Sequence, residues 1–252
     1  MTRASKPSRV VLLGATRGMG RAVARRLSER GDQLFLLGLN DSDLERSASD
    51  LAIRGNGQPI RWHACDLEKP ETFAPALDAA DAALGGFDTV VVTAAMFATQ
   101  EQLEKNPALL ARLLTVDFTN TILFCEEARK RLLARGGGTL CVFSSVAGDR
   151  GRKPVALYGA AKAGLSRYLE ALDHKHHSDG LRVLTVKPGF VKTSMTAGLK
   201  PPPFAGEPDQ VAQRVVSALD RGAAEVYAPV AWGPIMTVIK GLPRFVMRRV
   251  GF

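Results

Sequence analysis

Val10-Val11-Leu12-Leu13-Gly14-Ala15-Thr16-Arg17-Gly18-Met19-Gly20 runs from four aliphatic residues straight into a glycine turn. The four are apolar on both faces, the pattern of a strand buried between two layers. The glycines permit a tight turn and let the backbone approach a pyrophosphate. The helix that follows supplies free N–H groups and the positive end of its dipole. The spacing is Gly-x-x-x-Gly-x-Gly and not the commoner Gly-x-Gly-x-x-Gly. It predicts a dinucleotide site on Gly14, Thr16, Arg17, Gly18, Met19 and Gly20, at the end of the first strand.

Outward from this turn the chain alternates. Aliphatic runs at 9–13, 33–37, 60–64, 88–93, 139–144, 181–187 and 225–227 are separated by amphipathic stretches at 18–30, 42–54, 70–84, 108–134, 156–177 and 208–221. Strand–helix alternation builds a parallel sheet with helices on both sides. The expected fold is therefore α/β: a single doubly wound domain, residues 1–228, with a mostly parallel seven-stranded sheet. A basic, apolar tail, residues 229–252, follows it. Ligands then belong at the carboxyl ends of the strands.

With 252 residues, 46% of them apolar, the chain buries a sizeable core and is not disordered. Three cysteines (Cys65, Cys125, Cys141) are too few and odd in number for a disulfide scaffold. They suit a reducing, cytoplasmic setting and core packing. No apolar run follows the basic start, so no signal peptide is expected, and the weakly charged stretch 226–239 is too short to span a bilayer. The net charge of +9 is concentrated at two ends. Residues 1–9 carry +3 and residues 240–252 carry +4, neither stretch with an acid, which leaves the body nearly balanced. No nucleic-acid-binding motif accompanies that charge, so nucleic acid is not an expected partner. His174, His176 and His177 sit beside one another without further ligands, and no metal site is expected.

Tyr158 and Lys162 are four apart in a helical stretch and so share a face. An ammonium beside a phenol favours phenolate and draws the tyrosine towards neutrality, and an oxidised nicotinamide's positive charge acts the same way. Tyr158 is then a general acid for carbonyl reduction, or a base for alcohol oxidation. Ser145 ends a strand thirteen residues earlier, and its hydroxyl is placed to orient the carbonyl.

The glycine spacing, Ser145, Tyr158-Gly-Ala-Ala-Lys162 and Pro188-Gly189-Phe190-Val191-Lys192-Thr193 together resemble the short-chain dehydrogenase/reductase family, from residue 10 to about 227. The resemblance implies an NAD(P)-dependent oxidoreductase acting on a carbonyl or alcohol, commonly a homo-oligomer. It places Lys162 on the nicotinamide ribose, Pro188, Gly189, Val191 and Thr193 around the carboxamide, and Asp66 with Leu67 at the adenine. It also assigns Thr93, Ala94 and Ala95 to the cofactor. Arg17 points to NADP(H) in preference to NAD(H). The second strand ends at Asn40 with no acid to take a ribose 2′-hydroxyl, although Asp41 and Asp43 lie just beyond. The competing reading is a non-catalytic dinucleotide sensor, which would need none of Ser145, Tyr158 or Lys162.

Two positions depart from the family pattern. Val92-Thr93-Ala94-Ala95 replaces Asn-Asn-Ala-Gly, and Asp117 stands where the family usually has the Asn that links the active-site lysine to solvent. Asp117 is expected to retune that proton relay. On the substrate side, Arg150, Arg152 and Lys153 suit an anionic group. Residues 194–206, with Phe204, are expected to form a lid. The tail interleaves large apolar residues with Lys240, Arg244, Arg248 and Arg249, which suits either packing on the body or a peripheral contact with anionic lipid. It resembles the tail of the decaprenylphosphoryl-2-keto-ribose reductases. That resemblance implies a lipid-linked keto-sugar or keto-lipid as substrate, reached at the inner face of the membrane.

Overall fold

In the computed structural model, which describes residues 7–202 and 204–251, the aliphatic runs become seven strands: β1 (Arg9–Leu13), β2 (Gln33–Gly38), β3 (Arg61–Ala64), β4 (Thr89–Val92), β5 (Gly138–Phe143), β6 (Leu181–Pro188) and β7 (Glu225–Ala228). All pair in parallel, in the order β3-β2-β1-β4-β5-β6-β7. The order reverses between β1 and β4, which opens a crevice at the carboxyl ends of those two strands. The basic residues Arg3 and Lys6 lie outside the described residues.

Side chains alternate across the sheet, so each strand feeds two cores. Val11 and Leu13 face α3 (Phe73–Leu84), α6 (Thr121–Ala134) and α7 (Ala156–His176), with Phe73 edge-on to Phe124. Val10 and Leu12 face α1 (Gly18–Glu29), α2 (Asp41–Arg54) and α8 (Pro208–Arg221). The fully apolar strands of the sequence are thus apolar because helices cover both faces.

Two local differences from the sequence reading matter. The helix expected at 108–134 starts at Pro107 as α5 (Pro107–Leu114), loosens into a π-turn at Thr115–Asn120 and resumes as α6. Thr121 Oγ1 donates to the Val116 carbonyl at 2.7 Å within that turn. The wider turn leaves both Asp117 and Asn120 buried. By length and composition the stretch from 107 to 134 would suit a membrane span, but its inward side carries Leu113, Phe124, Cys125, Ala128 and Leu132 into the core. A short helix, α4 (Gln100–Lys105), was not expected. Its signal is the capping box between Thr99 and Gln102.

The tail also folds. Residues 232–241 form α9 (Trp232–Gly241) and residues 244–247 form α10 (Arg244–Met247). Met236 and Ile239 are buried against Val146, the residue after Ser145.

Candidate active site

β5 delivers Ser144 and Ser145 to the carboxyl edge of the sheet. Ser144 Oγ bonds the Lys162 carbonyl at 3.0 Å and Ser166 Oγ at 2.7 Å, tying the strand end to α7. Ser145 Oγ accepts from the Ala147 N–H at 3.1 Å and lies 3.5 Å from the Pro188 carbonyl. The loop then packs backbone to backbone on α7. A Cβ added at Gly148 would lie 2.6 Å from the Lys162 carbonyl carbon, so no side chain fits there. That approach brings Ser145 near enough to Tyr158 to lower its phenol pKa.

Lys162 lies one turn further along α7 and is 1% exposed. Its Nζ stands 5.6 Å from the Tyr158 ring centre and 3.2 Å from Asp117 Oδ2. Asp117 is wholly buried. Its Oδ1 accepts from the Met96 N–H at 2.6 Å, and Oδ2, paired with Lys162, has no hydrogen-bond partner among the described residues. Phe97 meets the Tyr158 ring edge-on at 5.2 Å.

Burial opposes the Lys162 charge, but the Asp117 carboxylate, with Tyr158, holds its pKa above the ordinary lysine value. Burial also lifts the Asp117 carboxyl above the usual range, against the pull of Lys162 and the Met96 N–H. For Tyr158, burial raises the phenol, Lys162 lowers it, Asp117 raises it and Ser145 lowers it, with the net shift upward. This corrects the expectation of a phenol near neutrality. Among the protein's own groups, burial and the Asp117 charge outweigh Lys162.

The glycine turn lies at the switch point. Gly14 has φ +95° and its N–H bonds the Leu37 carbonyl at 2.9 Å. α1 begins without a side-chain cap and without an acid in its first turn. Its leading N–H groups therefore suit a phosphate, and the fit to a dinucleotide rests on that uncapped end. Thr93 Oγ1 bonds the Leu13 and Gly14 carbonyls at 3.0 and 3.1 Å, and the Ala94 N–H bonds Leu13 at 3.2 Å. These bonds hold β4's end, and Ala95 after it, against the turn. Thr193 stands over Gly18: a Cβ there would be 3.4 Å from Thr193 Cγ2. Val191 is fixed by a parallel bridge to Gly206. Residues 188–193 thus fold over the uncapped helix end.

At the adenosine end, Asn40 caps α2 by accepting from the Asp43 N–H, and Asp66 accepts from the Glu68 N–H at 2.8 Å. Leu67 is buried and its carbonyl takes the Asn120 side chain at 2.6 Å. Arg17 is 72% exposed and bonds Asp43 at 3.0 Å, and Arg46 pairs with the same carboxylate. Arg46, then Arg17, holds the Asp43 carboxyl below its ordinary range.

The substrate side holds the tail. Arg150 donates to the Leu242 carbonyl at 2.7 Å and Lys153 to the Arg248 carbonyl at 2.6 Å. Both cations anchor the tail through one donor each. Asp149 is buried, paired with Lys187 at 2.8 Å and bonded by the Tyr227 hydroxyl at 2.7 Å. The buried Nε of Arg152 has no partner among the described residues, and burial, set against Asp149, lowers its pKa. Phe204 is exposed on the segment beyond Val191. Two neighbours of the site were not singled out from sequence: Arg46 and Phe97. No local motif marks them, because each reaches the site through tertiary packing.

A family model described as short chain dehydrogenase matches residues 8–203. An uncharacterised oxidoreductase of Streptomyces coelicolor is 34% identical over 254 residues, covering 97% of this chain and 96% of the relative. The carbonyl reductase family member 4 of Danio rerio is 29% identical, covering 92% and 96%. A short chain dehydrogenase structure from Shigella flexneri, complexed with NADP, superposes with a TM-score of 0.77 over 86% of this chain and 95% of that one, at 22% identity, a likeness of fold.

Proposed function

Because the chain belongs to the short-chain dehydrogenase family, and is therefore an oxidoreductase, we propose that it interconverts a carbonyl and its alcohol with NADP(H). One observation carries this reading: Ser145, Tyr158 and Lys162 come from the end of β5 and from α7 to one point, with the ammonium 5.6 Å from the phenol ring centre. A bound nicotinamide supplies the hydride. The Ser145 and Tyr158 hydroxyls would hold the carbonyl oxygen, and Tyr158 would give it the proton. Lys162 would stabilise the phenolate that remains, and Asp117 holds Lys162 in place and in its charged form. The test is a screen of keto-sugars, keto-lipids, steroids and lipid-linked keto-sugars with NADPH, following the loss of its absorbance. No turnover of any class would remove the carbonyl-reductase reading.

The NADP(H) preference rests on Arg17. Its single ion pair is exposed, so exchanging Asp43 for a 2′-phosphate costs little. We expect Arg17→Ala to weaken NADPH binding about tenfold and NADH binding less than threefold in calorimetric titrations. Equal losses would assign Arg17 to the shared part of the cofactor.

A lipid-linked substrate, with peripheral membrane contact, is supported by the tail. Val230, Val238 and Phe245 are exposed beside Arg244, Arg248 and Arg249 in an acid-free segment. Truncation would remove the buried Met236 and Ile239, so substitution is the cleaner probe. Val238→Asp with Phe245→Asp should abolish flotation with phosphatidylglycerol-rich vesicles. Unchanged flotation, or none by the unmutated chain, would count against the membrane contact.

A further inference from the structure

We propose that Asn120 is a positioning residue for the adenosine half of the cofactor: its side-chain amide ties the loop after β3, which that half lies against, to the π-turn that carries Asp117. The proposal rests on the NADP(H) reading above. It adds a residue that acts through the Leu67 peptide and does not itself touch the cofactor.

The sheet order decides which half lies where. The uncapped end of α1, after β1, suits the phosphates, and Tyr158 and Lys162 on α7 hold the nicotinamide side, beyond β4 and β5. The adenosine then runs the other way, across the carboxyl ends of β2 and β3. The loop of residues 65–69 leaves β3 at that place, with Asp66 and Leu67 near its head.

The loop's own bonds leave one gap. The Cys65 N–H bonds the Gly38 carbonyl at 2.8 Å and the Asp66 N–H bonds the Thr72 hydroxyl at 3.1 Å. The Glu68 N–H takes the Asp66 carboxylate and the Lys69 N–H the Asp66 carbonyl, both at 2.8 Å. Leu67 is buried, and among the described residues only Asn120 Nδ2 donates to its carbonyl, at 2.6 Å. The two residues are 53 apart in the chain, so nothing local supplies this bond. Asn120 is itself buried, and Val116 and Phe124, four residues to either side of it, belong to the apolar core. An apolar side chain is the ordinary occupant of such a position. The amide answers the Leu67 carbonyl, which an apolar residue would leave unpaired.

A second strut lies alongside. Arg112 on α5 bonds both oxygens of Glu68, its Nε at 2.8 Å. That pair is about half exposed and screened by solvent, so the buried Asn120 bond is the firmer tie. Asp117, three residues before Asn120, serves Lys162, whereas Asn120 serves Leu67. A loss at Asn120 should therefore show in cofactor binding and not in the chemical step.

Asn120→Leu keeps the size of the side chain and deletes the donor. Calorimetric titration with 2′,5′-ADP, the adenosine half alone, should show an affinity about tenfold weaker than that of the unmutated chain. KM for NADPH should rise by a similar factor while kcat at saturation stays within about twofold. Asn120→Ser, whose hydroxyl is too short to keep the bond, should lose affinity in the same direction and serves if the leucine variant does not fold. Unchanged 2′,5′-ADP affinity would overturn the proposal. A fall in kcat with unchanged KM would also overturn it, because it would assign Asn120 to the lysine side of the π-turn. If the unmutated chain binds neither 2′,5′-ADP nor NADPH, the cofactor reading falls and this assignment with it. If it binds 2′,5′-ADP but reduces no carbonyl, the reductase reading falls alone and the titration still decides the role of Asn120.

Discussion

Tyr158→Phe should lower carbonyl reduction by about a thousandfold, while NADPH binding stays within a few-fold. The substitution removes only the hydroxyl. The ring keeps its edge contact with Phe97, and the Ser144 bonds to α7 do not involve it. What disappears is the proposed proton donor. Steady-state turnover and a calorimetric titration with NADPH check the two halves separately. Turnover close to that of the unmutated chain would show that another group supplies the proton. It would also revive the sensor reading, in which the hydroxyl has no task. The result bears on both hypotheses at once because Tyr158 has no structural role large enough to confuse them.

Asp117 gives the second large effect, and its two substitutions should diverge. Asp117→Ala leaves the Lys162 ammonium buried with no carboxylate facing it and the Met96 N–H without its acceptor. Stranding one partner of a buried pair typically costs 3–5 kcal/mol, so urea unfolding should show a loss of about that size. Asp117→Asn keeps an oxygen for Met96 and should fold and turn over. Its signature is the pH profile. The Asp117 charge raises the Tyr158 phenol, so its removal lowers that pKa. In the proposed reaction Tyr158 must be protonated to reduce a carbonyl. The alkaline limb of kcat/KM should therefore move to lower pH in the Asn variant. A limb that stays in place would mean that Asp117 acts only on Lys162's position. A limb that moves upward would overturn the electrostatic account.

The linkage sign for Lys162 is consistent with this. Its pKa is raised in the fold, so its pairing stabilises the protein fully below the unfolded lysine value. That contribution is lost as pH rises through the higher folded value. Both Asp117 variants report the removal of that pairing.

Much of the architecture was legible in the chain because it follows from local rules. Val10 to Leu13 are apolar on both faces because helices cover both sides of β1, and the same is true of β4 and β5. Gly14 needs a positive φ, and Gly20 admits nothing larger because a Cβ there would be 2.2 Å from the Gly14 carbonyl oxygen. Tyr158 and Lys162 share a helix face by periodicity alone. The π-turn was not legible. Its residues read as ordinary helix, and the widening goes with the packing of Asp117 on Lys162 and Asn120 on Leu67. Nor was the fate of the basic loop. Arg150 and Lys153 looked available until the tail, some ninety residues later, placed its carbonyls against them.

The sequence by itself determined the parallel α/β order, the glycine turn and the Ser145, Tyr158 and Lys162 set. Each is a matter of short-range periodicity, turn chemistry or spacing. The tertiary structure alone decided which charges are free and which donors lack a partner. It turned two cations into anchors, pushed the Tyr158 phenol up instead of down, and brought the Asn120 side chain to the Leu67 carbonyl. Burial and partnership are properties of the assembled chain. A residue's charge is written in its name, but its pKa and its availability depend on what the fold brings within a few ångströms.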